Sequence, residues 1–336
     1  VQIRRVPEDC CLVDARAREW FDRRTYSAAD IDPAQLLTAK GDQRITVILP
    51  ALDEEVTVGA IVSSIRTHLM SAVPLVDDLV VLDSGSTDNT AQVAAEAGAR
   101  VLDREQAFPA MPVLPGKGEA MWRALAGTDG DLVVFCDADL RSFAPHYVTG
   151  LLAPLLREPQ IALVKAVYER PLTDGDATVP AGGGRVTELV ARPLLNAHWP
   201  HLAGVAQPLA GEYAARRNLL ESLSFPTGYG VEFAMLVDTD AALGLDAIAQ
   251  VDLGVRVHRH HDEQRLGRMA AEIWATALSR LDPDARVRRS HAGNVHDTGS
   301  LVQFVHDAAG LHIREHPVTT VERPPLDTMP SRSGQV

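Results

Sequence analysis

The sequence predicts an α/β protein with a Rossmann-like sheet, mixed but mainly parallel, flanked by helices. Three observations predict it. Short apolar, β-branched runs at residues 45–49, 79–82 and 132–136 suit strands buried on both faces. Apolar residues at helical spacing separate them, as in Val58, Ile61, Val62, Ile65 and Leu69. Each run ends in polar residues, Asp53 and Glu54, Asp83 and Ser84, Asp137 and Asp139. Ligands of open α/β sheets bind beyond the carboxyl ends of the strands, so these residues are expected to converge.

Residues 1–43 are mixed and charged, with Trp20, Phe21 and Tyr26 as anchoring aromatics, and read as an N-terminal arm laid on the core. Residues 44–160 form the expected ligand-binding core. Within it the strand closed by Pro50 comes first, and the second strand runs into Asp83-Ser84-Gly85-Ser86-Thr87-Asp88, where Ser86 or Thr87 is expected to cap the next helix. A short strand at 100–102, a helix after Gly118 and the strand at 132–136 continue the β-α-β rhythm. Residues 161–286 read as a second, less regular part of the same domain, with strands at 163–167 and 248–251 and a glycine cluster at 182–184. Residues 287–336 read as a C-terminal extension, polar and His-rich, whose last twenty residues form a loose tail. Residues 14–24 read as a solvated helix face, His198 and His201 as loop residues, and Trp122 as a packing residue.

A net charge of −13 on 336 residues speaks against nonspecific nucleic-acid or anionic-membrane binding, so an anionic ligand requires a locally basic site. Cys10, Cys11 and Cys136 make no plausible disulfide framework, because adjacent cysteines rarely pair and the third falls in a strand. No apolar run is long enough to span a bilayer, and the chain is expected to be cytoplasmic.

The densest chemistry is Cys136-Asp137-Ala138-Asp139, two carboxylates two residues apart just past a strand. Mg²⁺ or Mn²⁺ takes hard oxygen ligands and is often held by one or two carboxylates plus substrate phosphates. Gly182-Gly183-Gly184 permits close approach of backbone amides to a phosphate, and Arg185 and Thr187 add a planar cation and a hydroxyl at an expected helix start. Lys117, between two glycines, reads equally as a diphosphate ligand or a surface lysine. Arg256, His258 and His260 alternate, so a strand turns all three to one face.

Pro50-Ala51-Leu52-Asp53-Glu54, Asp83-Ser84-Gly85-Ser86 and Asp137-Ala138-Asp139, in that order, resemble the A-type fold glycosyltransferases. The PGKGEA segment from Pro115, GGGRVTELVARP from Gly182, PLAGEY from Pro208 and GYGVE from Gly228 look like the actinobacterial glucosyl-3-phosphoglycerate synthases and their mannosyl-3-phosphoglycerate relatives. That resemblance implies an A-type glycosyltransferase fold and retaining transfer of a hexose from a nucleotide sugar to the 2-hydroxyl of 3-phosphoglycerate. UDP-glucose is the expected donor, with GDP-mannose as the alternative.

The resemblance further implies a metal, Mg²⁺ or Mn²⁺, on Asp139 and His258, and Asp139, Glu232 and Arg185 as the residues carrying the chemistry. The implied donor site comprises Pro50, Ala51, Leu52, Asp53, Glu54, Ser84, Lys117, Asp137, Ala138, Gly228, Tyr229, Gly230, Glu232 and Arg256. The implied acceptor site comprises Gly184, Arg185, Val186, Thr187 and His260, where the family usually carries Asn in place of His260. A homodimer is implied as well. A nucleotide-sugar sensor without turnover is the competing reading of another class, and intact Asp137, Asp139, Arg185 and His258 speak against it.

Overall fold

The computed structural model describes residues 14–29, 31–169, 172–174, 177–179, 184–255, 263–281, 295–307 and 310–329. Its first half runs α1 (Ala15–Arg24), β1 (Thr25–Ser27), α2 (Pro33–Lys40), β2 (Ile45–Ala51), α3 (Val58–Ile65), β3 (Asp78–Asp83), α4 (Thr90–Ala97) and β4 (Arg100–Asp103). The single turn α5 (Arg104–Ala107), α6 (Lys117–Ala126), β5 (Leu132–Phe135) and α7 (His146–Arg157) follow. The second half runs β6 (Leu163–Glu169), the small β7 (Leu172–Asp174) and β8 (Ala177–Val179), α8 (Arg192–His198), β9 (Tyr213–Arg216), α9 (Arg217–Ser222), β10 (Phe225–Pro226) and α10 (Val231–Leu243). It closes with β11 (Ile248–Val255), α11 (Glu263–Leu281), β12 (Val295–Asp307) and β13 (Gly310–Arg323).

The central sheet has eight strands in the order β1-β11-β6-β9-β5-β2-β3-β4. Only β9 runs antiparallel to its neighbours, β5 and β6, so the sheet is mixed and mainly parallel as the sequence predicts. Successive side chains of a strand face opposite sides. Val47, Leu49 and Val134 therefore join α3, α4 and α7 in one apolar cluster, while Ile48, Val133 and Phe135 join α6, α9 and α10 in another. This two-sided burial explains why these strands are unbroken apolar runs. Cys136 is buried just past β5 and forms no disulfide among the described residues, and Cys10 and Cys11 lie outside them.

Several segments differ from the sequence expectation. The arm contributes a strand: β1 pairs with β11 in parallel register, Tyr26 opposite Val251. The α1 face is not simply solvated, because Ala17, Trp20 and Arg24 are buried and the Trp20 indole donates to the Ile248 carbonyl at 2.9 Å. The cap of α4 is Asn89, and Asp88 accepts the Thr90 N–H at 2.9 Å. Ser86 and Thr87 instead bond Asp83 and Asp53. His198 ends α8, and His201 lies in a 3₁₀ turn where it meets Asp240 at 2.7 Å.

The C-terminal extension is not loose over residues 317–329. There β13 pairs with β12 and, through Phe225 opposite Arg323, with β10. The Arg323 guanidinium is buried against Glu119, and the Pro324 carbonyl accepts the Trp122 indole N–H at 2.9 Å. A buried ion pair and an indole hydrogen bond tie down a stretch whose composition alone reads as solvated. No helix among the described residues is long and apolar enough to cross a membrane.

Candidate active site

The carboxyl ends of β2, β3, β4 and β5 open on one cavity of about 540 Å³. Three loops build its sheet side. The loop after β2 turns through Asp53, whose φ of 58° is left-handed, and Thr87 N–H and Oγ1 bond its carboxylate at 2.7 and 3.2 Å. Its neighbours are tied to the next loop as well, Glu54 N–H to Thr90 Oγ1 at 2.7 Å and Glu55 N–H to Asp88 at 3.1 Å. Thr57 Oγ1 then donates to the Ala138 carbonyl at 2.7 Å, joining the first loop to the one that follows β5. The motifs are distant in sequence, yet hydrogen bonds make them one surface.

At the centre lies a charged triad. Lys117 Nζ, at the first position of α6, is 2.7 Å from Asp137 Oδ1 and 2.7 Å from Glu232 Oε1. Burial by itself depresses a lysine, but here the two carboxylates override it and hold the ammonium well above its usual range. Asp137 in turn rests on Gly211, where a Cβ would come within 2.4 Å of both carboxylate oxygens. Only glycine leaves that carboxylate its place.

Beneath the triad, Lys165 is buried and donates to the Ala210 carbonyl at 2.7 Å. Burial lowers its pKa to about 8, against the raising influence of Glu232, Glu212 and Asp137. Tyr213, beside it, is pushed well above the phenol range, first by burial and then by the Glu232 charge.

The opposite wall comes from the second half. Gly184, at φ 84°, opens the helical run that carries Arg185, Val186 and Thr187 into the cavity, and Glu188 N–H returns to the Gly184 carbonyl at 3.0 Å. Such a start presents backbone N–H groups suited to an anion. The helix α11 adds Arg265, Leu266, Met269 and Ile273, and Arg265 donates to the Tyr229 hydroxyl at 3.2 Å. Glu272 accepts the Tyr229 N–H at 2.7 Å, and burial raises its pKa against that bond and Arg268.

Most of the residues singled out in the sequence therefore meet. Pro50, Ala51, Leu52, Glu54, Ser84, Lys117, Asp137, Ala138, Asp139, Gly184, Arg185, Val186, Thr187, Tyr229 and Glu232 all line the cavity. Asp53 does not, because its carboxylate is turned to Thr87. Gly228 and Gly230 also lie behind the wall, packed so closely on Glu272 and Thr276 that a Cβ would come within 2.1 and 2.0 Å of them. Arg256, His258, His260, Gly182 and Gly183 lie outside the described residues. Sequence reasoning missed Arg104 and the α11 residues, and it held Leu209 and Gly211 only as part of the PLAGEY motif, without a site role. For α11 the signal was its apolar spacing, which does not distinguish a cavity wall from core.

The donor set suits a hard divalent cation. Asp137 and Asp139 share one loop, and no group of three or more metal-ligating side chains is gathered among the described residues. An ion here would be completed by a ligand's phosphates, as is usual for Mg²⁺.

A mainly parallel sheet with a carboxylate pair at its central strand end, facing a helix start across a ligand-sized cavity, defines a nucleotide-sugar glycosyltransferase. Residues 46–181 match the family model Glycosyl transferase family 2. The chain is 49% identical over 320 residues to a glucosyl-3-phosphoglycerate synthase of Mycolicibacterium paratuberculosis, covering 93% of each. It is similar in structure to the glucosyl-3-phosphoglycerate synthase of Mycobacterium tuberculosis crystallised with Mn²⁺, UDP-glucose and phosphoglyceric acid. There the TM-score is 0.78 and the identity 47%, over 91% of this chain and 99% of that one. The same enzyme with Mg²⁺ and UDP gives a TM-score of 0.79 at 47% identity, again over 91% and 99%. The chain belongs to the glucosyl-3-phosphoglycerate synthase family.

Proposed function

We propose that this chain moves glucose from UDP-glucose to the 2-hydroxyl of 3-phosphoglycerate, with retention at the anomeric carbon. The carrying observation is the single cavity that has the carboxylate loop on one side and the Gly184–Thr187 helix start on the other. One side suits a diphosphate and its metal, the other a phosphorylated acid. Family membership favours glucose over mannose as the sugar.

In this reading Pro50 to Glu54 and Ser84 hold the nucleoside, and Lys117 and Asp137 stand at the diphosphate. Glu232, steered by Lys117, meets the sugar hydroxyls, while Arg185 and Thr187 with the Gly184 and Val186 backbone hold the acceptor phosphate. Asp139 would hold Mg²⁺ or Mn²⁺, and the family resemblance assigns His258 as the second protein ligand, Arg256 to the donor and His260 to the acceptor. When bound, the ion offsets charge on the departing diphosphate. The acceptor oxygen bonds to the anomeric carbon on the face from which the diphosphate leaves, and the hydroxyl proton passes to a leaving phosphate oxygen. Glu232 is held by Lys117 at 2.7 Å, which suits an orienting carboxylate better than a nucleophile. The division into a 44–160 donor half and a 161–286 acceptor part, the homodimer and the cytoplasmic setting belong to the same reading and rest on the family.

The test is product formation from 3-phosphoglycerate with UDP-glucose and with GDP-mannose, with Mg²⁺ or chelator, in the wild type and Asp139→Ala. Metal-dependent glucosyl transfer, reduced at least about a hundredfold in Asp139→Ala, is expected. Nucleotide-sugar binding without transfer from either donor would leave a sensor.

A further inference from the structure

We propose that Arg104 is a specificity residue for the donor's nucleobase, its guanidinium meeting the carbonyl edge of uracil. The inference rests on the UDP-glucose reading above. Arg104 follows β4, is half-buried, and lines the cavity beside Ser84 and Gly85. Among the described residues its guanidinium has no hydrogen bond or ion pair, while its backbone carbonyl accepts from the Arg123 guanidinium. Lys117 is held between two carboxylates, and Arg265 donates to Tyr229. A chain with 45 acidic residues and 32 lysines and arginines thus leaves a guanidinium unpaired at one end of its cavity.

The arginine is nevertheless fixed. Gly85 has φ 87°, and a Cβ there would come 3.0 Å from Arg104 Nη2, so the guanidinium lies across bare backbone. The Arg104 carbonyl accepts Arg123 Nη1 at 3.0 Å, and Arg123 is itself fully buried. Asp103 caps the turn, accepting the Glu105 and Gln106 N–H groups at 2.7 and 3.2 Å. The backbone that carries the guanidinium is held before any ligand arrives.

Position decides which part of the donor it meets. Asp137 and Asp139 follow β5, and Arg104 follows β4, three strands away in the order β5-β2-β3-β4. Three interstrand steps are roughly 14 Å. With the diphosphate at the carboxylates, Arg104 stands at the nucleoside end. A guanidinium donates and never accepts. It therefore favours the 4-carbonyl of uracil and is mismatched with the 4-amino group of cytosine.

The experiment compares wild type, Arg104→Leu and Arg104→Lys, with UDP and CDP titrated calorimetrically in Mg²⁺ and UDP-glucose and CDP-glucose tested as donors. The wild type should prefer uridine. Arg104→Leu should raise the UDP-glucose KM about tenfold and shrink the UDP-over-CDP preference about tenfold, leaving the 3-phosphoglycerate KM within about twofold. Arg104→Lys should not restore the preference, because it keeps the charge and loses the fork. Equal losses for both nucleotides, recovery in Arg104→Lys, unchanged UDP binding, or a wild type blind to the base would each overturn the proposal. Wild-type transfer in the same series tests the functional reading separately.

Discussion

One helix carries two charged clusters of opposite character. Lys117, at the start of α6, faces Asp137 and Glu232 across the cavity, with side chains 23%, 22% and 5% exposed. Two residues on, Glu119 meets Arg123 and Arg323, and these are 2%, 0% and 4% exposed. The sealed cluster also sends Arg123 to the carbonyls of Arg104, Phe108, Met111 and Pro112, at 2.8 to 3.0 Å. It thereby fixes the loop that leads into Lys117, and Arg323 anchors the C-terminal strand to the same point. A wet cluster keeps charge available to a ligand, whereas a dry one, with every donor engaged, serves as a bracket.

The largest effect should come from breaking the bracket. Arg123→Met takes a guanidinium donor from four carbonyls, of which Pro112 alone keeps Arg323, and from Glu119, and removing one member of a buried ion pair costs about 3–5 kcal/mol. A melting temperature lower by roughly 10 °C is expected. Lys117→Met should cost less than half as much stability, because water reaches Asp137 and Glu232 can take up a proton, yet lower kcat/KM about a hundredfold. Chemical denaturation and steady-state kinetics on both variants test this. Equal destabilisation would erase the distinction between the clusters.

Lys165 lies beneath the wet cluster and sharpens the comparison through pH. Burial first, set against Glu232, Glu212 and Asp137, brings its pKa to about 8, below the ordinary lysine value. Between those two values the unfolded chain binds more protons at this group than the fold does, so stability rises with pH across that window. The gain is on the order of 3 kcal/mol and should be absent in Lys165→Met. Denaturation at pH 7 and pH 10 measures it as a wild-type-minus-variant difference. A difference independent of pH would mean that the fold does not penalise the ammonium.

The two clusters were unequally legible in the sequence. Strands β2, β3 and β5 are apolar on both faces and end in acids, so their order and the convergence of Asp137, Asp139 and Ser84 follow from local pattern. Lys117 stands in a glycine-flanked motif and could be weighed as a ligand. Arg323 could not be read as the partner of Glu119, because the pair spans 204 residues and lies in a polar stretch. The strand β1, three residues long, has too little periodicity to declare itself, and the reversal of β9 follows from sheet order rather than from its own residues. Arg104 lacks a motif, and its significance depends on Gly85, nineteen positions earlier, leaving room for it.

The smallest effect expected concerns Asp53, which the sequence places with the donor and the structure turns away from the cavity. Its carboxylate latches the first two loops through Thr87 N–H at 2.7 Å, and its φ of 58° is a conformation that asparagine tolerates better than most residues. Asp53→Asn keeps the backbone preference and the accepting oxygen and removes only the charge. On an exposed loop that should change stability by about 0.5 kcal/mol or less and leave the UDP-glucose KM within about twofold. Asp53→Val, which keeps neither, should loosen the latch and raise that KM severalfold without a matching change in the 3-phosphoglycerate KM. A tenfold rise in the donor KM in Asp53→Asn, at unchanged stability, would mean that the charge itself meets the ligand. The loop after β2 would then be a binding side chain's support as well as a latch.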